Sequence, residues 1–296
     1  MGRALVTGGT SGIGLAFVRA LAARGDDVVI VARDETRLVK VAEAARTQYK
    51  VAVETISADL AVRADVDRIA ARLADTVSPI DLCVNNAGFG LHATLLDDDT
   101  TLQERAMTVM GTDVLLLSNA AARAMVARGS GTIINVASAS AWIYTGNYSA
   151  IKRWVVSYTQ ALAIDLEGTG VQATAVCPGW VKTAFHERAG GEPPHIPGWL
   201  WIKADDVATT ALRDAARGKV VSVPSLKWRL GLWVAQHGPQ SIPVAVSRAV
   251  TGSRRGDGSV YRVPSNKDTS DAVGQARTSA GPQANDSGTD KSGQVA

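Results

Sequence analysis

The chain is short of the residues that build metal centres and covalent cross-links. Cysteine occurs twice, at Cys83 and Cys177, and histidine four times in 296 residues. Both cysteines fall beside apolar, strand-like runs. They read as small buried hydrophobes in a reducing compartment, not as a disulfide or a metal pair. Neither His186 nor His195 has a nucleophile to pair with, and no metal site is expected. A large charge imbalance is lacking too: 31 Lys and Arg against 28 Asp and Glu leave a formal net charge of +3. Such a mild excess is not the concentrated basic stripe of a nucleic-acid binder, so no nucleic-acid partner is expected. No apolar run reaches the length of a membrane span, and a glycine-rich turn by residue 8 leaves no room for a signal peptide before it. There is no internal repeat. These absences place the chain in the cytoplasm as a globular protein, with 46% hydrophobic and 20% charged residues and enough length for one large core.

What is present is a rhythm of strands and helices. A short apolar run at 4–6 breaks into Thr7, Gly8, Ser11, Gly12, Ile13 and Gly14, where a helical pattern begins. Gly8 permits a tight turn, Gly12 a close approach of backbone to ligand, and Gly14 close packing of helix on strand. The N–H groups at the helix start, with the positive end of the helix dipole, suit a pyrophosphate. Further apolar runs at 28–31, 51–56, 80–84, 132–136, 171–176 and 219–223 read as strands. Helical patterns between them cover about 12–24, a segment capped by Asp34, 64–75, 101–127, 148–167 and 205–217. Strands alternating with helices predict an α/β fold, a doubly wound parallel sheet with right-handed crossovers. The predicted organisation is a Rossmann-fold domain at 1–223, an amphipathic helical extension at 224–251 and a disordered tail at 252–296, too poor in large apolar residues to offset its ordering entropy. In the extension, Leu226, Leu230, Trp233 and Val234 share a face, with Lys227 and Arg229 off it. That face either packs on its own domain or a second subunit, or lies on a membrane surface.

Tyr148 and Lys152 are four apart on a predicted helix and so share a face. A free tyrosine titrates near pH ~10, too high for a base at neutral pH, and a neighbouring ammonium favours the phenolate. Ser138 follows the fifth strand at the carboxyl edge of the sheet, where open α/β folds place ligands. Its hydroxyl can hydrogen-bond a substrate oxygen within reach of Tyr148; Ser140 is the nearby competitor.

Thr7, Gly8, Gly12 and Gly14, then Asn85-Asn-Ala-Gly88, Ser138, and Tyr148 with Lys152 occur in the order and rough spacing of the short-chain dehydrogenase/reductase family, which residues 1–222 resemble. Cys177-Pro-Gly179 and Thr183 match the family's element after the sixth strand. The resemblance implies a bacterial NAD(P)-dependent oxidoreductase acting on a small-molecule carbonyl or alcohol. Tyr148 is then the general acid/base, Lys152 tunes it and holds the nicotinamide ribose, and Ser138 orients the substrate oxygen. It further implies that Asp59 and Leu60 border the adenine, that Asn85, Ala87 and Gly88 line the cofactor path, and that Pro178, Gly179, Val181 and Thr183 complete it. A homo-oligomer is also implied. One departure stands out: Met110 occupies the position where many members carry an asparagine that anchors a relay water, and Thr112, Asp113 or a backbone carbonyl is the candidate substitute. At the end of the second strand, Ala32 stands where an acid would hold NAD, and Arg33 follows. This pattern favours NADP, with NAD as the alternative. The segment 186–202 reads as a lid, and Trp142, Ile143, Tyr144, Trp180, Trp199 and Trp201 as apolar surface for a ketone on an apolar frame. A second reading is a dinucleotide-binding sensor or scaffold with little turnover.

Overall fold

In a computed structural model, residues 2–91, 93–183 and 197–252 are described; the expectations for the tail from 253 onward and for the lid over residues 186–196 of its 186–202 lie outside them. Seven strands form one sheet: β1 (Arg3–Thr7), β2 (Asp27–Ala32), β3 (Val53–Ser57), β4 (Leu82–Asn85), β5 (Gly131–Val136), β6 (Val171–Val176) and β7 (Val221–Ser222). Their order is β3-β2-β1-β4-β5-β6-β7 and every pairing is parallel. The central strands are apolar along their length because both faces are covered: Leu5, Val29, Ile30, Val84, Ile133 and Ile134 are all buried.

The covering helices are α1 (Gly12–Ala23), α2 (Glu35–Tyr49), α3 (Arg63–Leu73), α4 (Thr101–Met107), α5 (Asp113–Arg128), α6 (Asn147–Asp165) and α7 (Ala204–Ala215). Two local signals act as the sequence suggests. The Asp34 carboxylate accepts from Arg37 N–H at 3.0 Å and caps α2. Gly129, at φ 75°, closes α5 in the left-handed region. Between α4 and α5, however, the predicted single helix is interrupted by a wide turn at Thr108–Thr112, in which Asp113 N–H donates five residues back to Thr108 C=O. Such π turns cluster at functional sites. The combined stretch Thr101–Arg128 does reach membrane-span length and apolarity. Its apolar side is spent on the core, where Val114, Leu117, Ala121 and Met125 are buried.

The extension forms two helices, α8 (Leu226–His237) and α9 (Ser241–Gly252), broken at Gly238 and Pro239. The face that turns inward is not the one the spacing singled out. Leu232 is buried, and Trp228 and Ala235 pack with it onto the domain. Leu226, Leu230 and Trp233 point outward. The helix carries apolar residues on both sides, so periodicity alone could not choose between them.

The chain winds from β1 outward to β3, then crosses to β4 on the other side of β1. The carboxyl ends of β1 and β4 therefore flank the switch point, where open α/β sheets hold their ligands.

Candidate active site

At that switch point the glycine turn is held by backbone and by the two residues that follow β4. Gly8 and Gly9 N–H donate to Val31 C=O at 2.8 and 3.3 Å. The Thr7 hydroxyl accepts from the N–H groups of Asn86 and Ala87, both at 3.0 Å, and the Asn86 side-chain amide donates to Thr7 C=O at 2.9 Å. Thr7 is thus a buried fastener between strands and not a wall of the site. A Cβ on Gly14 would lie 2.3 Å from Gly8 C=O, so only glycine lets α1 start this close. Gly12, at φ 55°, presents bare backbone facing the Thr183 side chain.

A cavity of about 970 Å³ opens over this turn. It is lined by Gly8, Ser11, Gly12, Ile13, Arg33, Asp59, Leu60, Ala87, Gly88, Ser138, Tyr148, Lys152, Pro178, Gly179, Val181 and Thr183, all anticipated from the sequence. Asn85 departs from expectation. It is buried beneath the cavity, donating to Ser118 Oγ at 3.0 Å and Asn135 Oδ1 at 2.9 Å. Side chains alternate along a strand, so Asn85 faces the core and Asn86, the next residue, takes the lining position. Gly14 lies behind the lining and acts through packing.

At one end the cavity is charged, with cations in excess; Asp34 lines it too and pairs with Arg37 at 3.1 Å. Arg33 and Arg37 line it, and Arg105 reaches in to hold Asp59 through two contacts of 3.0 and 2.8 Å. Burial pushes the Asp59 carboxyl up, but hydrogen bonds from Ala61 N–H and Arg105, with the charges of Arg105 and Arg33, outweigh it and hold it below its ordinary value. The neighbouring α1 terminus, the exposed glycine backbone and these guanidinium groups suit an anionic dinucleotide. No group of three or more metal-ligating side chains occurs among the described residues.

At the other end stand the candidate reactive groups. Ser138 leaves β5 with its Oγ accepting from Ser140 N–H at 3.1 Å. Tyr148 begins the first turn of α6, where Gly146 at φ 82° makes the bend and the Ser149 hydroxyl accepts from Thr145 N–H at 2.7 Å. One turn on, Lys152 is buried with its Nζ donating to Val136 C=O at 2.9 Å and lying 5.7 Å from the Tyr148 ring centroid. Burial pushes the Lys152 ammonium down to about 8. Met110, in the wide turn, packs on Gly88, its Sδ 3.0 Å from where a Cβ there would stand. Met110 lines the cavity; Thr112 and Asp113 do not. Asp113 is instead buried, with Oδ2 making no hydrogen bond, and burial pushes its carboxyl up to about 7.

The remaining wall comes from a region with no motif. Trp228, Leu232 and Ala235 of α8 and Ile242, Pro243 and Val246 of α9 close the apolar side. Trp228 donates to Leu200 C=O at 3.0 Å and its ring covers Gly179, where a Cβ would meet ring atoms at 2.0–2.3 Å. The Ser247 hydroxyl accepts from Tyr144 N–H at 2.7 Å and ties α9 to the loop before Tyr148. Of the aromatic and apolar candidates, Ile143, Trp180 and Trp199 line the cavity. Trp142 is buried in the core, Tyr144 faces outward, and Trp201 packs on Trp180. Sequence reasoning did not pick out Arg37, although its place one turn after Arg33 was a usable signal. Arg105 carried none; Asn86 stood inside the Asn85–Gly88 motif without a role, and the α8–α9 wall belongs to the extension, whose packing was left open.

Comparison with known proteins agrees with this architecture. The profile of the short chain dehydrogenase family matches residues 3–192, and the chain belongs to that family of oxidoreductases, which use NAD or NADP. It is 36% identical over 203 residues to galactitol 2-dehydrogenase (L-tagatose-forming) of Cereibacter sphaeroides, covering 67% of this chain and 78% of that protein. A short-chain dehydrogenase from Sphingobium yanoikuyae, solved in complex with NADPH, is 29% identical with a TM-score of 0.74, over 88% of this chain and 99% of that one. The bulky-bulky ketone specific alcohol dehydrogenase of Comamonas testosteroni is 27% identical with a TM-score of 0.69, over 81% and 94% of the two chains.

Proposed function

Proceeding from that membership, we propose that the protein transfers hydride between NADP(H) and a ketone or secondary alcohol on a bulky apolar frame. The observation that carries this reading is one continuous cavity with the glycine turn and Arg33 at one end and Ser138, Tyr148 and Lys152 at the other. When bound, the cofactor supplies or accepts the hydride at its nicotinamide. The residues do the rest. The Ser138 hydroxyl donates a hydrogen bond to the substrate oxygen and fixes the carbonyl carbon for attack. Tyr148 gives its phenolic proton to that oxygen during reduction and takes it back during oxidation. Lys152, in its charged form, favours the phenolate that remains. Its contact with Val136 C=O holds the ammonium against the sheet, behind the tyrosine. The α8–α9 wall excludes water and accepts the apolar frame.

Arg33 and Arg37 support NADP, because two guanidinium groups at the adenine end match an extra phosphate. The two free, buried thiols, Cys83 and Cys177, fit the reducing cytoplasm. The stacked Trp154 and Tyr158 on α6, with the exposed Leu115 of α5, suit a homo-oligomer built on these two helices.

The test is NADPH oxidation across ketones of increasing bulk. The expected result is turnover, with Tyr148→Phe lowering kcat by about 10²–10⁴ while NADPH affinity stays within a few-fold. A Tyr148→Phe protein with full turnover would remove the role assigned to Tyr148. Cofactor binding without turnover on any ketone or alcohol would favour a sensor.

A further inference from the structure

The outward face of α8 has no partner within the described residues. Leu226, Leu230 and Trp233 are 76%, 66% and 59% exposed. At about 3.6 residues per turn they form one stripe, with His237 continuing it and stacking on Trp233 at 5.2 Å. The same geometry places Lys227 on one flank of the stripe and Arg229 on the other. The opposite side, Trp228, Leu232 and Ala235, is spent on the domain and the cavity wall. The cavity rim adjoins this face. Lys227 lies 5.3 Å over the Trp199 ring, and Trp199, Ile242 and Val246 both line the cavity and remain exposed.

The helices of the extension carry charge of one sign. The two helices contain no Asp or Glu, yet they carry Lys227, Arg229 and Arg248. A chain nearly balanced overall thus leaves its cations without a single acid in the segment that bears the exposed stripe. A second copy related by two-fold symmetry would bring Lys227 and Arg229 onto their own kind, with no carboxylate in the segment to meet them. An anionic lipid surface complements both features at once. Acyl chains take up the stripe, anionic headgroups meet the flanking cations, and Trp233 lies at the polar boundary.

We propose that α8 docks the protein on anionic membranes, in the plane of the interface, with the rim of the substrate cavity beside the lipid. The docking does not depend on the reaction assigned above.

The test uses the full chain and vesicles of phosphatidylcholine with or without phosphatidylglycerol. Co-sedimentation is expected only with phosphatidylglycerol present, weakening as salt rises. Leu230→Glu with Trp233→Glu should lower the partition coefficient about tenfold or more. Neither residue lines the cavity, so turnover of a water-soluble ketone without vesicles stays at the parent level and reports on the oxidoreductase reading separately. Three results would overturn the docking. One is no binding to phosphatidylglycerol vesicles. Another is binding that the double variant leaves intact, which would move it elsewhere on the chain. The third is a drop in particle mass by light scattering in the double variant, which would give the face to a second copy.

Discussion

The two ends of the cavity are built by different means. The glycine-turn end is made of short loops that follow β1, β2 and β4 directly, held by backbone contacts such as Gly8 N–H to Val31 C=O and by the Thr7–Asn86 clasp. The apolar end is closed by α8 and α9, which reach it from more than seventy residues beyond Tyr148 and are held by side chains: the Trp228 ring on Gly179, and Ser247 under Tyr144. Backbone hydrogen bonds and φ requirements are specific to position, so they admit few residue types and read as motifs. Packing of apolar side chains demands only volume and polarity, so many sequences serve and none is diagnostic.

Substitutions should separate the two ends. The largest effect belongs to the cationic end. Ala32→Asp with Arg33→Ala is expected to shift the NADP-to-NAD ratio of kcat/KM by about tenfold to a hundredfold, the scale of losing charged hydrogen bonds, with KM for the ketone little changed. Equal use of the two cofactors by parent and variant would place the phosphate elsewhere. At the apolar end, Leu232→Ala should raise KM for bulky ketones by roughly five- to tenfold, as expected when a hydrophobic pocket loses a buried side chain. NADPH affinity, measured by fluorescence titration, should not move. Parallel losses in both parameters would mean that the two ends are one unit.

The smallest expected effect lies outside the cavity lining, at the buried Asp113. Burial raises the Asp113 carboxyl from 3.8 to about 7, opposed by Arg63 and assisted by Asp59. Over that window the folded protein keeps a proton that the unfolded chain has lost, so this group lowers stability as pH climbs through it and by a constant amount above. Asp113→Asn should therefore melt higher than the parent at pH ~8, by several degrees, and equally near pH ~4. A variant that melts lower at alkaline pH would mean that the ionised carboxylate is stabilised in the fold.

Much of the site was legible before any coordinates. Tyr148 and Lys152 sit where the helical spacing puts them, and Arg33 follows β2 as its position suggests. The misplacements share one cause. Asn85 and Asn86 are neighbours of the same type, and only the phase of β4 against the core decides which of them faces the cavity. Leu226, Leu230 and Trp233 were recognised as a face with its partner left open; α8 is apolar on both sides, and the domain took the other one. The wide turn at Thr108–Thr112 has no proline or glycine pair to announce its five-residue hydrogen bond.

By itself the sequence determined the alternation of strands and helices, the glycine turn and the Tyr148–Lys152 pair, because each depends on neighbours a few residues away. Tertiary structure alone decided that Arg105 reaches Asp59, that Asn86 rather than Asn85 lines the path, and that a distant helical hairpin closes the apolar end. Those contacts join segments far apart in the chain, and nothing local in either partner requires the other.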